Sequence, residues 1–210
     1  MYPKQIQRII DLFSRFPGIG PRQAARFAFF ILKEKDPFIG DLRAALQEAE
    51  ERIGICDTCF RMMERENGTI RSCVICADTR RETHMVAVVE KESDMRNMES
   101  MGAYRGLYHV LGGVISPLDP DSPKTLRLRE LYDRVEARLT GAENPYEVIL
   151  ATNSTTEGDT TLRYIERILA PLQSTHSHLT ISRLGRGLSL GSELEYVDEI
   201  TLKNALTNRK

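Results

Sequence analysis

The chain has 210 residues, enough for one or two small domains with a real core, and a net charge of -1. Bulk charge therefore does not announce a nucleic-acid binder. The longest wholly apolar run, Phe27 to Leu32, is far short of a membrane span, and neither a low-complexity tract nor a long-period repeat is present.

The chain begins Met1-Tyr2-Pro3-Lys4-Gln5, without a basic-then-apolar leader, so a soluble cytoplasmic protein is expected. Charge is unevenly spread. Lys4, Arg8, Arg15, Arg22, Arg26 and Lys33 face only Asp11 in the first 33 residues, a local positive patch. Ile6, Ile9, Ile10 and Phe13 recur at helical spacing, a stripe that exceeds what one short hairpin can hide. Phe16-Pro17-Gly18-Ile19-Gly20-Pro21 then breaks the pattern before a second helix opens at Arg22. Pro21 suits a first helical turn. Gly18 and Gly20 permit a tight turn whose free N–H groups, beside a helix N-terminus, suit an anion. Arg22 and Arg26 lie one turn apart on one face and would flank a phosphate held there. This stretch resembles a helix-hairpin-helix, a module that grips nucleic-acid backbone without reading bases; the plain alternative is a helical hairpin with a solvated basic face. A further amphipathic helix is expected from Asp36 to Glu51.

Four cysteines follow in two pairs, Cys56-Asp57-Thr58-Cys59 and Cys73-Val74-Ile75-Cys76. Each CxxC turn points two thiolates one way, and two such pairs complete a tetrahedron around one zinc ion. Asn67-Gly68 supplies a reverse turn that lets the pairs meet. Four thiolates leave no position for substrate, so the ion is expected to be structural. A redox dithiol would need only one pair, and two disulfides would need an oxidising compartment.

Met85 to Val89 reads as a buried strand ending at Glu90, with Asp94 four residues on. Tyr108 to Leu111 and Tyr146 to Ala151 are further strands, with a helix from Leu126 to Leu139 between them. A helix from Gly158 to Leu169, ended by Pro171, and a strand from Leu179 to Leu184 complete the alternation, which argues for a mostly parallel sheet. His84, His109, His176 and His178 are scattered, and the last two alternate as if on one strand face. An acid closing a first strand and polar residues closing a later one resemble a Toprim domain. Such enzymes hold magnesium with a Glu at the first position and a pair of Asp residues at the later one. Glu90 matches the first. The later strand end offers Asn153 and Thr155, with Glu157 beyond, and neutral groups are poor magnesium ligands.

Taken in order, the PGIGP hairpin, the paired CxxC, VVE, YHVLGG with Ser116-Pro117-Leu118-Asp119, LATN…EG, Gly185-Arg186-Gly187 and Leu194 to Leu202 resemble the RecR family of bacterial recombination mediators over nearly the whole chain. Two departures are local: a long loop between the cysteine pairs, and Leu188-Ser189-Leu190 where a proline-containing GLPxG stretch is usual. The resemblance implies an α/β protein in four parts: a helix-hairpin-helix region at 1–54, a zinc module at 55–82, a Toprim domain at 83–182 and an assembly segment at 183–210. It implies no enzyme, but a dimer or tetrameric ring that encloses single-stranded or duplex DNA, associates with the nucleoid, and with RecO, in some bacteria also RecF, helps load RecA. The acids Glu90, Asp94 and Glu147 would then offer a negative surface to a basic partner such as RecO. Arg186 would contact DNA or a neighbouring subunit, or belong to a surface loop. Two other classes stay open: a Toprim nuclease or primase using Glu90, Asp94 and Glu157 on a metal, and a zinc-bearing adaptor that binds only protein.

Overall fold

A computed structural model of the chain describes residues 2–34, 37–65, 72–141, 144–185, 187–188, 191 and 193–207. The chain divides into two compact units, Met1–Ile53 and Gly54–Lys210.

The first unit is helical: α1 (Lys4–Phe13), α2 (Pro21–Glu34) and α3 (Phe38–Arg52). Its core is small. Ile10, Ala24 and Ala28 are buried, and Ile6, Ile9, Phe13, Ile19 and Ala25 pack against them. Alanine on α2 lets α1 approach closely, and the stripe of α1 fills the gap. So the stripe is at least half-covered within its own unit. The large side chains left exposed are elsewhere, among them Leu12, Phe16, Phe29, Phe30, Phe38 and Leu46. The third helix spans Phe38–Arg52, and none of its side chains is fully buried; its expected start, Asp36, lies outside the described residues. The expected amphipathic face is therefore present in sequence but largely uncovered.

The second unit is built on a four-stranded sheet. Its strands are β3 (Glu82–Val89), β4 (Gly106–Val110), β5 (Tyr146–Ala151) and β6 (Leu179–Arg183), in the order β4-β3-β5-β6. All neighbouring strands are parallel, with Val88 opposite both His109 and Leu150. A parallel sheet needs cover on both faces, which is why the β3 run is apolar without alternation. Val86, Val88, Val148 and Leu150 face one core, filled by Leu131 and Val135 of α6 (Leu128–Leu139) and Ile165 and Leu169 of α7 (Thr156–Thr175). Ala87, Val89, Tyr108, Val110 and Ala151 face the other, with Met95 of α5 (Glu92–Ser100) and three of the four cysteines. The cysteine segment thus shares a core with the sheet and does not stand apart from it. That segment holds the ribbon β1 (Ile53–Ile55) and β2 (Met62–Glu64) and the one-turn α4 (Val74–Ala77). Near the C-terminus α8 (Glu199–Thr207) leaves Ile200 and Leu206 exposed.

Several boundaries differ from the sequence reading. Pro171 does not end α7. It lies inside the helix, which runs on to Thr175. A proline removes one N–H and crowds the carbonyl four residues back. The sheet nevertheless holds the helix on both sides of it: Leu162, Ile165 and Leu169 are buried before the proline and Leu172 after it. Beyond it, the Ser174 and Thr175 hydroxyls donate to the Pro171 carbonyl. Gly158 is not the first residue of α7 either. Thr155 caps the helix, its Oγ1 accepting the Gly158 N–H at 3.0 Å. Strand β3 begins at Glu82 and β4 at Gly106, earlier than their apolar runs, and α6 starts at Leu128 after a 3-10 turn at Ser122–Thr125. His176 and His178 lie before β6, not on it, and their rings meet edge to face at 5.4 Å. Among the described residues, no helix is long and apolar enough to cross a membrane.

Candidate metal centre and nucleic-acid interface

The two cysteine pairs converge. The first sits in the turn between β1 and β2, closed by the Phe60 N–H to the Cys56 carbonyl and the Cys56 N–H to the Arg61 carbonyl. Phe60 adopts φ 63, the one positive φ outside glycine among the described residues, and this tight reversal turns both sulfurs inward. In the second pair Cys73 precedes α4, and its N–H donates to the Cys56 sulfur at 3.3 Å. The Cys59 and Cys73 sulfurs lie 3.6 Å apart, and the sulfurs of all four cysteines fall within 4.8 Å of one another. Four sulfurs about 2.3 Å from one tetrahedral ion would stand about 3.8 Å apart, so the donor set fits zinc. All four cysteines are free of disulfides, with Cys56, Cys59 and Cys73 buried. Hydrogen bonding with Cys73, then Cys76, and burial push the Cys59 thiol up, whereas the hydrogen bond from Cys59 pulls Cys73 down. So many buried thiols cannot all ionise without a cation among them. Asn67 and Gly68, expected to form the turn between the pairs, lie outside the described residues.

The cysteine turn is fastened to the sheet. The Val110 N–H donates to the Cys59 carbonyl at 2.8 Å, and Arg134 of α6 donates to the carbonyls of Thr58 at 3.1 Å and Tyr108 at 2.6 Å. Phe60 lies edge-on to His109 at 5.2 Å and under the Arg127 guanidinium at 5.5 Å. His109 is fully buried, and its Nε2–H donates to the Arg127 carbonyl at 2.9 Å. Burial holds its imidazole down to about 4. Neither Arg134 nor Phe60 stands out in sequence: one reads as a polar helix position, and a phenylalanine gives no sign of a left-handed backbone.

At the hairpin, Gly18 has φ 77, a conformation open to glycine at little cost. The Ile19 N–H donates back to the Phe16 carbonyl, and Ile19 packs on the core of the first unit. Gly20 precedes Pro21, the first residue of α2, and its carbonyl accepts the Ala24 N–H. Arg22 and Arg26 are exposed on α2, on the side away from buried Ala24 and Ala28, and Phe29 and Phe30 are exposed further along the helix. Arg26 also reaches Gln23 at 3.4 Å. Arg186 lies outside the described residues.

The acids expected to share one surface do not. Glu90, at the end of β3, is only 5% exposed. Asn153 donates to it twice, from its backbone N–H at 2.7 Å and from Nδ2 at 2.5 Å, and the same Nδ2 lies 3.3 Å from Asp94. Glu147 pairs with Met85, at the other end of the same strands, and accepts the Ser182 hydroxyl at 2.5 Å. A parallel sheet separates its two ends by the strand length, so Glu147 cannot join Glu90 and Asp94. Thr155 is engaged as the cap of α7, and Glu157 is exposed in its first turn.

Comparison with known proteins covers most of the chain. Residues 6–50 match the family model described as RecR, helix-hairpin-helix, residues 84–184 that of the Toprim domain, and residues 187–210 that of RecR, C-terminal. A Recombination protein RecR from Cutibacterium acnes is 43% identical over 209 residues, covering 100% of this chain and 96% of its own. Another, from Prochlorococcus marinus strain MIT 9215, is 40% identical over 208 residues, covering 99% of this chain and 96% of its own. With such identity sustained from end to end, and the hairpin, the sheet and the C-terminal segment each matched in order, the chain belongs to the RecR family of recombination proteins.

Proposed function

We propose that this protein is a mediator of recombinational DNA repair that binds DNA through its backbone and performs no chemistry on it. The observation that carries the reading is the glycine turn at Gly18 and Gly20 opening directly into α2, with Arg22 and Arg26 exposed on that helix. Backbone amides and guanidinium groups at a helix start suit phosphate, and phosphate contacts hold no sequence information. Four clustered cysteines support one structural zinc, held by Cys56, Cys59, Cys73 and Cys76. The chain would assemble into a dimer or tetrameric ring around single-stranded or duplex DNA in the cytoplasm. With RecO, and RecF where present, it would promote RecA loading on single-stranded gaps. The uncovered aromatic side chains of the helical unit are consistent with self-association there.

The test is the double substitution Arg22→Ala and Arg26→Ala. Exposed helix positions accept alanine, so folding is retained. Binding should weaken alike for all DNA sequences, and the log–log salt slope should flatten by about 0.7 to 0.9 for each phosphate no longer neutralised. A folded double variant with the original affinity and salt slope would remove the hairpin from the DNA site.

A further inference from the structure

A buried carboxylate needs hydrogen-bond donors or a cation, because desolvation of the charge is otherwise uncompensated. Glu90 is such a carboxylate, and Toprim-type sites meet the need with a divalent ion. Here each Glu90 oxygen already has a donor from one residue: Oε1 takes the Asn153 N–H and Oε2 takes Asn153 Nδ2. Asn153 Nδ2 also faces Asp94 at 3.3 Å, so a single amide group stands between the two acids. Its orientation follows from chemistry, since the amide oxygen turned toward two carboxylates would be repelled.

One side of the pair is closed by α7, while Asn153 itself stays exposed and Asp94 half-buried. A Cβ on Gly158 would come within 2.8 Å of Glu90 Oε1 and would overlap the Asn153 carbonyl oxygen. The first turn of α7 therefore presses on the Glu90–Asn153 pair with no room for a methyl carbon. Magnesium demands a near-octahedral shell of oxygens at about 2.1 Å. The donor set offers N–H groups where it would need oxygens, so the residues present do not fit the ion.

We propose that Asn153 takes the place of the divalent cation in this Toprim-type site. It holds Glu90 and Asp94 together without metal, and the single change Asn153→Asp converts the place into a cation site. The inference is independent of the DNA reading, as none of its variants touches the hairpin.

The experiment uses the full-length, zinc-loaded protein, with manganese(II) chloride as the probe, followed by electron paramagnetic resonance, and magnesium chloride in thermal melts. In the unmodified protein, manganese binding should be no greater than in Glu90→Gln, and magnesium should leave the melting temperature unmoved. Asn153→Asp should melt lower without added cation and recover by roughly 5–10 °C at a cation concentration about 100 times Kd. The exchange variant Glu90→Gln with Asn153→Asp reverses donor and acceptor. It should melt above Asn153→Asp without cation and should ignore magnesium. A purely structural asparagine would give an Asn153→Asp protein that is destabilised and unresponsive to cation, which overturns the proposal. So would an Asn153→Asp chain that stays unfolded with cation present, or manganese binding by the unmodified protein that Glu90→Gln abolishes.

Discussion

The two units of this chain solve the burial problem in different ways. The sheet unit covers both faces of β3 with side chains from its own helices and its cysteine segment, and Val86, Ala87, Val88 and Val89 are all fully buried. Among the described residues, the core of the helical unit has three buried side chains, two of them alanine, while Phe16 and Phe30 remain more than half exposed. A unit with so small a core gains little from hydrophobic burial. Dense packing thus belongs to the sheet, while the helical unit keeps large aromatic side chains at its surface.

The strongest way to break this contrast is through the cysteines. A structural zinc contributes on the order of 10 kcal/mol to the folding of its module, and here the module forms part of the sheet core. Cys59→Ser should therefore unfold the sheet unit and not only the cysteine turn. Metal analysis and thermal melts check this: a soluble, cooperatively melting Cys59→Ser protein without zinc would mean that the sheet stands without the ion.

A matched pair of truncations sharpens the comparison. Leu131 is fully buried between α6 and the sheet, and Leu131→Ala should cost about 4 kcal/mol. Ile10→Ala, in the loosely enclosed helical core, should cost about 2 kcal/mol because its surroundings can close in. Urea unfolding measures both. Equal costs would show that the helical unit is as tightly packed as the sheet unit.

The last effect appears only in acid. His109 is buried and neutral, and its folded value of about 4 lies below the ordinary value of 6.5. Since the unfolded chain takes up the proton first, this group's contribution is present above about pH 6.5. It fades as pH falls toward 4, amounting to about 3 kcal/mol in all. Arg127, Arg134 and Glu130 also face the ring. Stability curves of the unmodified protein and His109→Gln should converge across this window as pH falls. Parallel curves would remove His109 from the acid response.

The parts of the fold most readable from sequence are those set by local chemistry. Paired CxxC turns, the Gly18–Gly20 hairpin and the β-branched run at Met85–Val89 each state a local geometry, and each is found where expected. What depends on tertiary context is less readable. Pro171 is a helix breaker by propensity, yet the sheet beneath α7 carries the helix past it. Glu90, Asp94 and Glu147 share a charge but not an end of the sheet, and strand register alone separates them. Arg134 reaches a carbonyl 76 positions earlier in the chain, an encounter no spacing rule encodes.

The cysteine quartet sits against one face of the sheet, with Cys56 and Cys59 wholly shielded and Cys73 nearly so. An ion held there is released only when those three sulfurs part, and the turn that holds two of them is tied down by Val110 and Arg134. Its residence time is then the waiting time for the turn to lift from the sheet, and isotopically labelled zinc in the medium would enter at that rate and no faster. Each molecule would keep its ion from one lifting of the turn to the next, so uptake of label would report how often the turn opens.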